Sequence, residues 1–421
     1  MSSSLHYDAV VLGAGVAGLT AAARLAEGGA RVCVLAKGVG STHLAPGTVG
    51  VLGYDPERVE KPADALPGFT AAHPDHPYAL IGAEAVAPAL EWFAERIEAG
   101  PQPGYRYTRG LERNHFLPTA VGALRPSAVV PETMAAGDAQ GRGPVCVVGL
   151  PVLRDFYASL CAGNLRRGGI DARAVELEVD VGRVEANALG LARRFDDESF
   201  RAAFAARLAL LLRPGERVAL PAILGLRDPH GAWSDIERRL GGPVFEVPTL
   251  PPSVPGIRVY NALVAALRAA GGRLVVGAEA LAVEREDERV TAVRAHTSGH
   301  DTVYGARWVV LATGGFTSGA ITLSSDWQPR ETILGLALRG MPAPGEPRFA
   351  ADYFGPQPMS GVGVAVDPGL LAEGTENVFV AGAALPGAVP WREGSGEGIA
   401  LASGHFVAQA VLEREGAAAA A

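Results

Sequence analysis

The feature that most constrains this chain is the run of residues 7–37. Residues 7–12 (YDAVVL) form a short apolar stretch with β-branched side chains, the signature of a buried strand. Gly13-Ala14-Gly15-Val16-Ala17-Gly18 follows. An alanine-rich helix is predicted over 16–27, closed by Gly28-Gly29, and a second strand over 31–35. Alone, G-x-G-x-x-G is weak evidence. Set between a strand and a helix, with a second strand at this distance, it reads as a nucleotide-binding βαβ unit. Gly13 permits the tight turn, Gly15 admits a pyrophosphate close to the backbone, and Gly18 lets the helix approach the sheet. The helix N-terminus adds free N–H groups and partial positive charge. The acid that usually closes the second strand and holds an adenosine ribose is missing. Ala36 stands there, followed by Lys37. A small residue followed by a base accommodates a 2′-phosphate, so NADP remains a minor reading.

A nicotinamide-binding domain would continue with more βα units, and this chain does not. Turn-rich stretches alternate with helices and isolated strands over 55–255. A helix over 256–270 and a strand over 273–276 then lead into an antiparallel meander at 280–286, 289–296 and 301–304. An apolar strand at 308–312 (WVVLA) ends in Thr313-Gly314-Gly315, another at 378–381 (VFVA) ends at Gly382, and a last helix runs over about 398–412. The alanine-rich tail 416–421 reads as frayed.

This order resembles the two-domain flavoproteins of the glutathione-reductase and fumarate-reductase type. The resemblance implies that Ala312, Thr313 and Gly314 lie near the dinucleotide and that Gly382 meets the flavin ribitol. It also aims the start of the last helix, with Gly396 and Gly398, at the isoalloxazine. N–H groups at a helix start stabilise an anionic reduced flavin. Ala383 replaces the acid that usually follows the late glycine. The expected fold is α/β: a Rossmann-like FAD-binding domain (parallel sheet plus antiparallel meander) with an inserted mixed α/β domain. Residues 1–54 and 256–421 are the two parts of the FAD-binding domain, and 55–255 form the inserted cap or partner-binding domain.

Longer pieces resemble one family specifically, the B subunit of the anaerobic glycerol-3-phosphate dehydrogenase. They are VVLGAGVAGLTAAARLAEGG, AHPDHPYALIG, PVCVVGLPVLRDF, LPTLPPSVPGIRVYNAL, DYFGPQPMSGVGVAVD and ENVFVAGA. The resemblance implies a flavin subunit that works with a catalytic FAD subunit and an iron–sulfur membrane-anchor subunit. Together they oxidise glycerol 3-phosphate to dihydroxyacetone phosphate and pass electrons to quinone. It also implies FMN, whereas the glycine loop suits a pyrophosphate, which only FAD carries. FAD is therefore favoured, with FMN as the alternative. Two other readings stay open: a self-sufficient FAD oxidoreductase acting on another small anionic substrate, and a non-catalytic subunit whose flavin site has decayed.

Composition narrows the setting. The net charge is −8 with no basic stripe, which excludes nucleic acid as a natural partner. No run reaches the ~18 apolar residues of a membrane span, and residues 1–6 are short and polar without a signal-peptide core. A cytoplasmic protein is expected, peripheral on the inner face of the membrane through partner subunits. Cys33, Cys146 and Cys161 form no C-x-x-C, so neither an iron–sulfur cluster nor another metal is expected.

The catalytic residues are not legible, and the candidates are weak ones. His43 follows the βαβ unit, near where fumarate-reductase relatives carry a covalent flavin histidine, though its spacing to the next glycine differs. His115 is a candidate general base. Arg258 and Arg392, with Arg125, are candidates for an anionic substrate, since a planar guanidinium suits phosphate or carboxylate. Asp352, Tyr353, Gln357 and Gly361 are placed near the ring by resemblance. Alcohol oxidation would need a base for the hydroxyl proton. The lack of a strong candidate favours an electron relay over primary catalysis.

Overall fold

The computed structural model describes residues 5–180, 182, 187–343 and 345–420. Residues 1–4, part of the short polar start, and Ala421 of the tail lie outside them. The chain builds two large hydrophobic cores, the first around a mixed sheet and the second around a parallel one.

The first core begins with β1 (Leu5–Leu12), α1 (Val16–Glu27) and β2 (Val32–Ala36). Every residue of β2 is buried, as is the second half of β1. Continuous apolar runs are what a parallel sheet covered on both faces requires. α1 is alanine-rich because other helices approach it closely. A side chain at Gly404 would collide with the carbonyl of Ala17, and one at Gly28 with Leu412.

α2 (Val86–Glu98) packs on this core through Leu90, Trp92, Phe93 and Ile97. The second core follows, around β3 (Val145–Gly149), β4 (Ala172–Glu176), β5 (Arg217–Pro221) and β6 (Val244–Val247). Its strand order is β6-β5-β3-β4 and every pairing is parallel. α3 (Val254–Ala269) returns the chain to the first core, its N-terminus capped by Ser253 Oγ accepting from the N–H of Gly256. Helices over Ala158–Arg167 and Glu198–Ala209 pack on that second core.

The first sheet is completed by β7 (Arg273–Val276), β8 (Glu279–Glu286), β9 (Arg289–Thr297), β10 (His300–Leu311) and β11 (Val378–Val380). The strand order is β7-β2-β1-β10-β9-β8, with β11 beside β10. The sequence suggested two segments at 301–304 and 308–312. They are one strand, β10, whose start pairs antiparallel with β9 and whose end pairs parallel with β1 and β11. That strand fuses parallel sheet and meander into a single layer. The last helix, α4 (Gly396–Ala420), starts earlier than predicted and runs through the alanine tail read as frayed. Alanine has the highest intrinsic helix propensity, which outweighs the low complexity of that tail.

Candidate functional site

β1 and β10 end side by side, Leu12 opposite Leu311, and the strand order reverses between them. The crevice outside the carboxyl ends of strands at such a reversal is where open α/β sheets take ligands. Gly13 lies there with φ +109°, and its N–H donates to Leu35 O at 2.9 Å. A side chain at Gly13 would collide with the carbonyl of Ala312. One at Gly18 would collide with the carbonyl of Gly13. Gly15 differs: a Cβ built there meets nothing within 4 Å. It caps α1 without any side-chain hydrogen bond, and the first turn holds no acid. The first-turn N–H groups, Val16 and Ala17 among them, therefore have no side-chain cap, and the helix dipole lies behind them. Ala14 is buried beneath the turn.

Three later segments close on this loop. Ala312 N–H donates to Leu12 O at 2.9 Å, and Gly314 turns with φ +84°. Gly382, at φ +72°, packs against Ala17 and donates its N–H to Ser403 Oγ at 2.9 Å. Gly396 opens α4, and Gly398 N–H donates to Gly50 O at 2.9 Å. A side chain at Gly398 would strike the Tyr78 hydroxyl. Thus the glycine loop, the ends of β10 and β11 and the start of α4 converge.

A fourth wall is formed by residues 40–50, of which the sequence singled out only His43. Gly40, at φ +72°, brings this segment against Gly15. A narrow cavity then runs from α1 to α4, lined by Val16, Thr42, Thr48, Val49, Gly256 and Glu397. Gly40-Ser41-Thr42 was the available signal in the sequence, overshadowed by the neighbouring histidine. His43 packs edge-on against Tyr260 at 4.8 Å. Its Nε2 is buried without a partner, and burial holds the imidazole pKa below its usual value.

The remaining candidates do not gather at the crevice. Arg258 is corrected outright. It is completely buried, pairs with Glu246 at 2.7 and 3.0 Å, and gives its other N–H groups to Leu224 O, Gly225 O and the Tyr105 hydroxyl. Burial opposes its charge, but Glu246 and Tyr105 outweigh that and raise the pKa. No donor is left for a substrate. His115 Nδ1 sits 2.9 Å from Asp138, beside Arg113. Arg392 is exposed and stacks over Trp391 at 5.5 Å. Arg125 holds Glu397 at 2.8 and 2.9 Å, on the cavity's edge. Tyr353 faces solvent, and Gln357 bonds back to Asp352 within the same loop. Ala36 ends β2 with its side chain buried, and Lys37 is exposed with Nζ 2.8 Å from Glu279. The thiols of Cys33, Cys146 and Cys161 are buried, which pushes each pKa up to about 11.

Comparison with known proteins decides among the nucleotides. Residues 8–399 match the family described as FAD binding domain. The B subunit of the anaerobic glycerol-3-phosphate dehydrogenase of Pectobacterium atrosepticum is 32% identical, over 97% of this chain and 99% of that protein. The protein of the same name from Yersinia pestis is 30% identical, over 97% and 98%. The chain belongs to this family of FAD-binding flavoproteins. Among solved structures, a point variant of the E. coli quinol fumarate reductase FrdA is a loose likeness. It is 11% identical, covering 99% of this chain and 72% of that one, with a TM-score of 0.46.

The crevice fits FAD on its own terms. A Cβ built at Gly15 meets no atom within 4 Å at the start of α1, which has no side-chain cap, so the backbone there is open to the approach of a pyrophosphate. The hydroxyls of Thr42 and Thr313 and the Nε2 of His43 are buried without partners. Two of these lie at the crevice, Thr42 on the cavity wall and Thr313 just past the end of β10, and their hydroxyls are free to bond a ligand. The cofactor is FAD rather than FMN or NADP, and the family makes the chain a flavin-dependent oxidoreductase. Among the described residues no helix is long and apolar enough to cross a membrane.

Proposed function

We propose that this chain is the flavin-holding B subunit of a quinone-linked glycerol-3-phosphate dehydrogenase, and that it relays electrons rather than oxidising the alcohol itself. The observation that carries the reading is the near full-length relation to proteins whose name is that of a B subunit, which implies a multi-subunit complex. Bound FAD supplies the capacity to take up electrons and release them again. The chain's own residues hold it: Gly13, Gly15 and Gly18 with the start of α1 at the pyrophosphate, Thr42 and Thr313 as hydroxyl partners, and Gly382, Gly396 and Gly398 toward the ring. The relay reading is supported by the fate of the candidate bases and arginines. Arg258 is sealed in protein, His115 is engaged by Asp138, and Arg392 stands on the surface. The proposed partners are a catalytic FAD subunit, which would meet glycerol 3-phosphate, and an iron–sulfur membrane-anchor subunit leading to quinone. Those partners would place this chain on the inner face of the membrane.

The test is anaerobic addition of glycerol 3-phosphate to the purified, FAD-loaded chain while the flavin band is followed. The expected result is no bleaching until the catalytic subunit is added. Direct bleaching by glycerol 3-phosphate overturns the relay role. Bleaching by a different small anionic substrate alone would make the chain a self-sufficient oxidoreductase.

A further inference from the structure

β2 ends in Ala36, so the place of the ribose-binding acid is a buried methyl group. The neighbouring strand fills that gap. β7 runs parallel to β2, with Val276 opposite Ala36. The chain then turns at Gly277, φ +85°, and the N–H groups of Gly277 and Ala278 donate to Ala36 O at 2.8 and 3.0 Å. This pins the next residue, Glu279, at the end of β2. Its side chain reaches Lys37, with Oε1 2.8 Å from Nζ. The carboxylate therefore lies on the same carboxyl edge of the sheet as the glycine loop, where Gly13 N–H is tied to Leu35 of β2.

We propose that Glu279 accepts the adenosine ribose hydroxyls of FAD in place of the acid missing at Ala36, with Lys37 holding its carboxylate over the end of β2. The chemistry suits a diol. An ionised carboxylate has about four lone-pair sites and donates nothing. Lys37 occupies one site, which leaves Oε2 and a second lone pair of Oε1 for two hydroxyl donors. The arrangement also disposes of the NADP reading, since a 2′-phosphate would face this carboxylate and the Lys37 charge is already answered. Lys37 and Glu279 are largely exposed, at 78% and 50% of their side chains, so the pair adds little to stability. Removing it changes ligand selection and leaves the fold intact.

The inference rests on the FAD reading of the crevice, and the experiment separates the two. Flavin is stripped from the full chain, and FAD and FMN are titrated separately while the spectral shift of the flavin band is followed. FMN ends at its phosphate and has no adenosine ribose. Glu279→Gln is expected to weaken FAD about tenfold, the loss of hydrogen bonds to a charged acceptor. FMN affinity and the melting temperature should stay as in the wild type. Lys37→Met should weaken FAD in the same direction by a smaller factor. Unchanged FAD affinity in Glu279→Gln, with wild-type protein preferring FAD, overturns the assignment alone. Wild-type protein that takes FMN and refuses FAD overturns the FAD reading and this assignment together.

Discussion

Of the two large sheets, one mixed and one wholly parallel, each reverses its strand order once: the first between β1 and β10, the second between β3 and β5. Topology alone offers a ligand crevice at both places. The first is open. Gly13 and Gly314 turn there with positive φ, and the position a side chain would take at Gly15 is empty. The second is filled. β3 runs into Leu150 and β5 into Ile223 and Leu224, all buried in the core. Glu246 accepts from the N–H of Leu224 at 2.8 Å, and Arg258 donates to the carbonyls of Leu224 and Gly225. The same strand order therefore makes a cofactor site in one sheet and an anchor between the two cores in the other. What differs is the chain just past the strands: Gly13 and Gly314 leave room at the first reversal, and Leu150, Ile223 and Leu224 fill the second.

The largest effect is expected from breaking the anchor. Arg258→Met leaves Glu246 buried and unpaired, which costs about 3–5 kcal/mol in a urea denaturation of the FAD-free chain. Arg258→Met combined with Glu246→Leu should recover part of that loss, falling short because the Leu224 N–H and the Thr133 hydroxyl lose their acceptor. A single-variant loss under about 1 kcal/mol would mean that the second crevice is not held by this pair. A smaller effect, on the other side of the comparison, comes from Gly15→Ala. Its methyl group enters open space at an ordinary φ of −77°, so the FAD-free chain should lose no more than about 1 kcal/mol, the cost of alanine at a helix N-cap. FAD affinity, read by equilibrium titration, should fall about tenfold to a hundredfold, because the methyl occupies the phosphate's room. Unchanged affinity would place the pyrophosphate elsewhere.

The contrast between the sheets also explains what the sequence could disclose. The glycine loop was legible because its residues are contiguous and each glycine has a steric reason that spacing alone reveals. The ends of β10 and β11 were legible because an apolar run broken by glycine marks a buried strand and its exit. Thr42 and Glu397 were not, since their importance arises where residues 40–50 cross the start of α4, and no local pattern records that crossing. Arg258 misled for the same reason. A lone arginine after a proline-rich approach looks available for an anion, and only the fold shows Glu246, 12 residues earlier, waiting for it. Glu279 was passed over, one residue before the predicted meander strand at 280–286. Its place beside Lys37, 242 residues away in the chain, depends on β7 pairing with β2.

The smallest effect concerns a second, half-buried acid, which fastens the first site instead of the anchor. Glu393 precedes the start of α4, bonded by Val389 N–H and the Ser395 hydroxyl at 2.6 Å each and set 3.2 Å from His76 Nε2. Burial raises its pKa, but the contacts with His76, Ser395 and Val389 outweigh that and leave it below the ordinary 4.5. The unfolded chain then binds the proton first as the pH falls. The stabilisation is full above about pH 4.5 and fades as the pH drops through the folded-state value. Glu393→Gln should therefore cost about 1–2 kcal/mol near neutral pH, by the loss of charge-assisted hydrogen bonds. Its denaturation midpoint should approach the wild type's only in the acid range. A gap that is the same near neutral pH and well below the ordinary carboxylate range would mean that the side chain serves α4 by its shape and not by its charge.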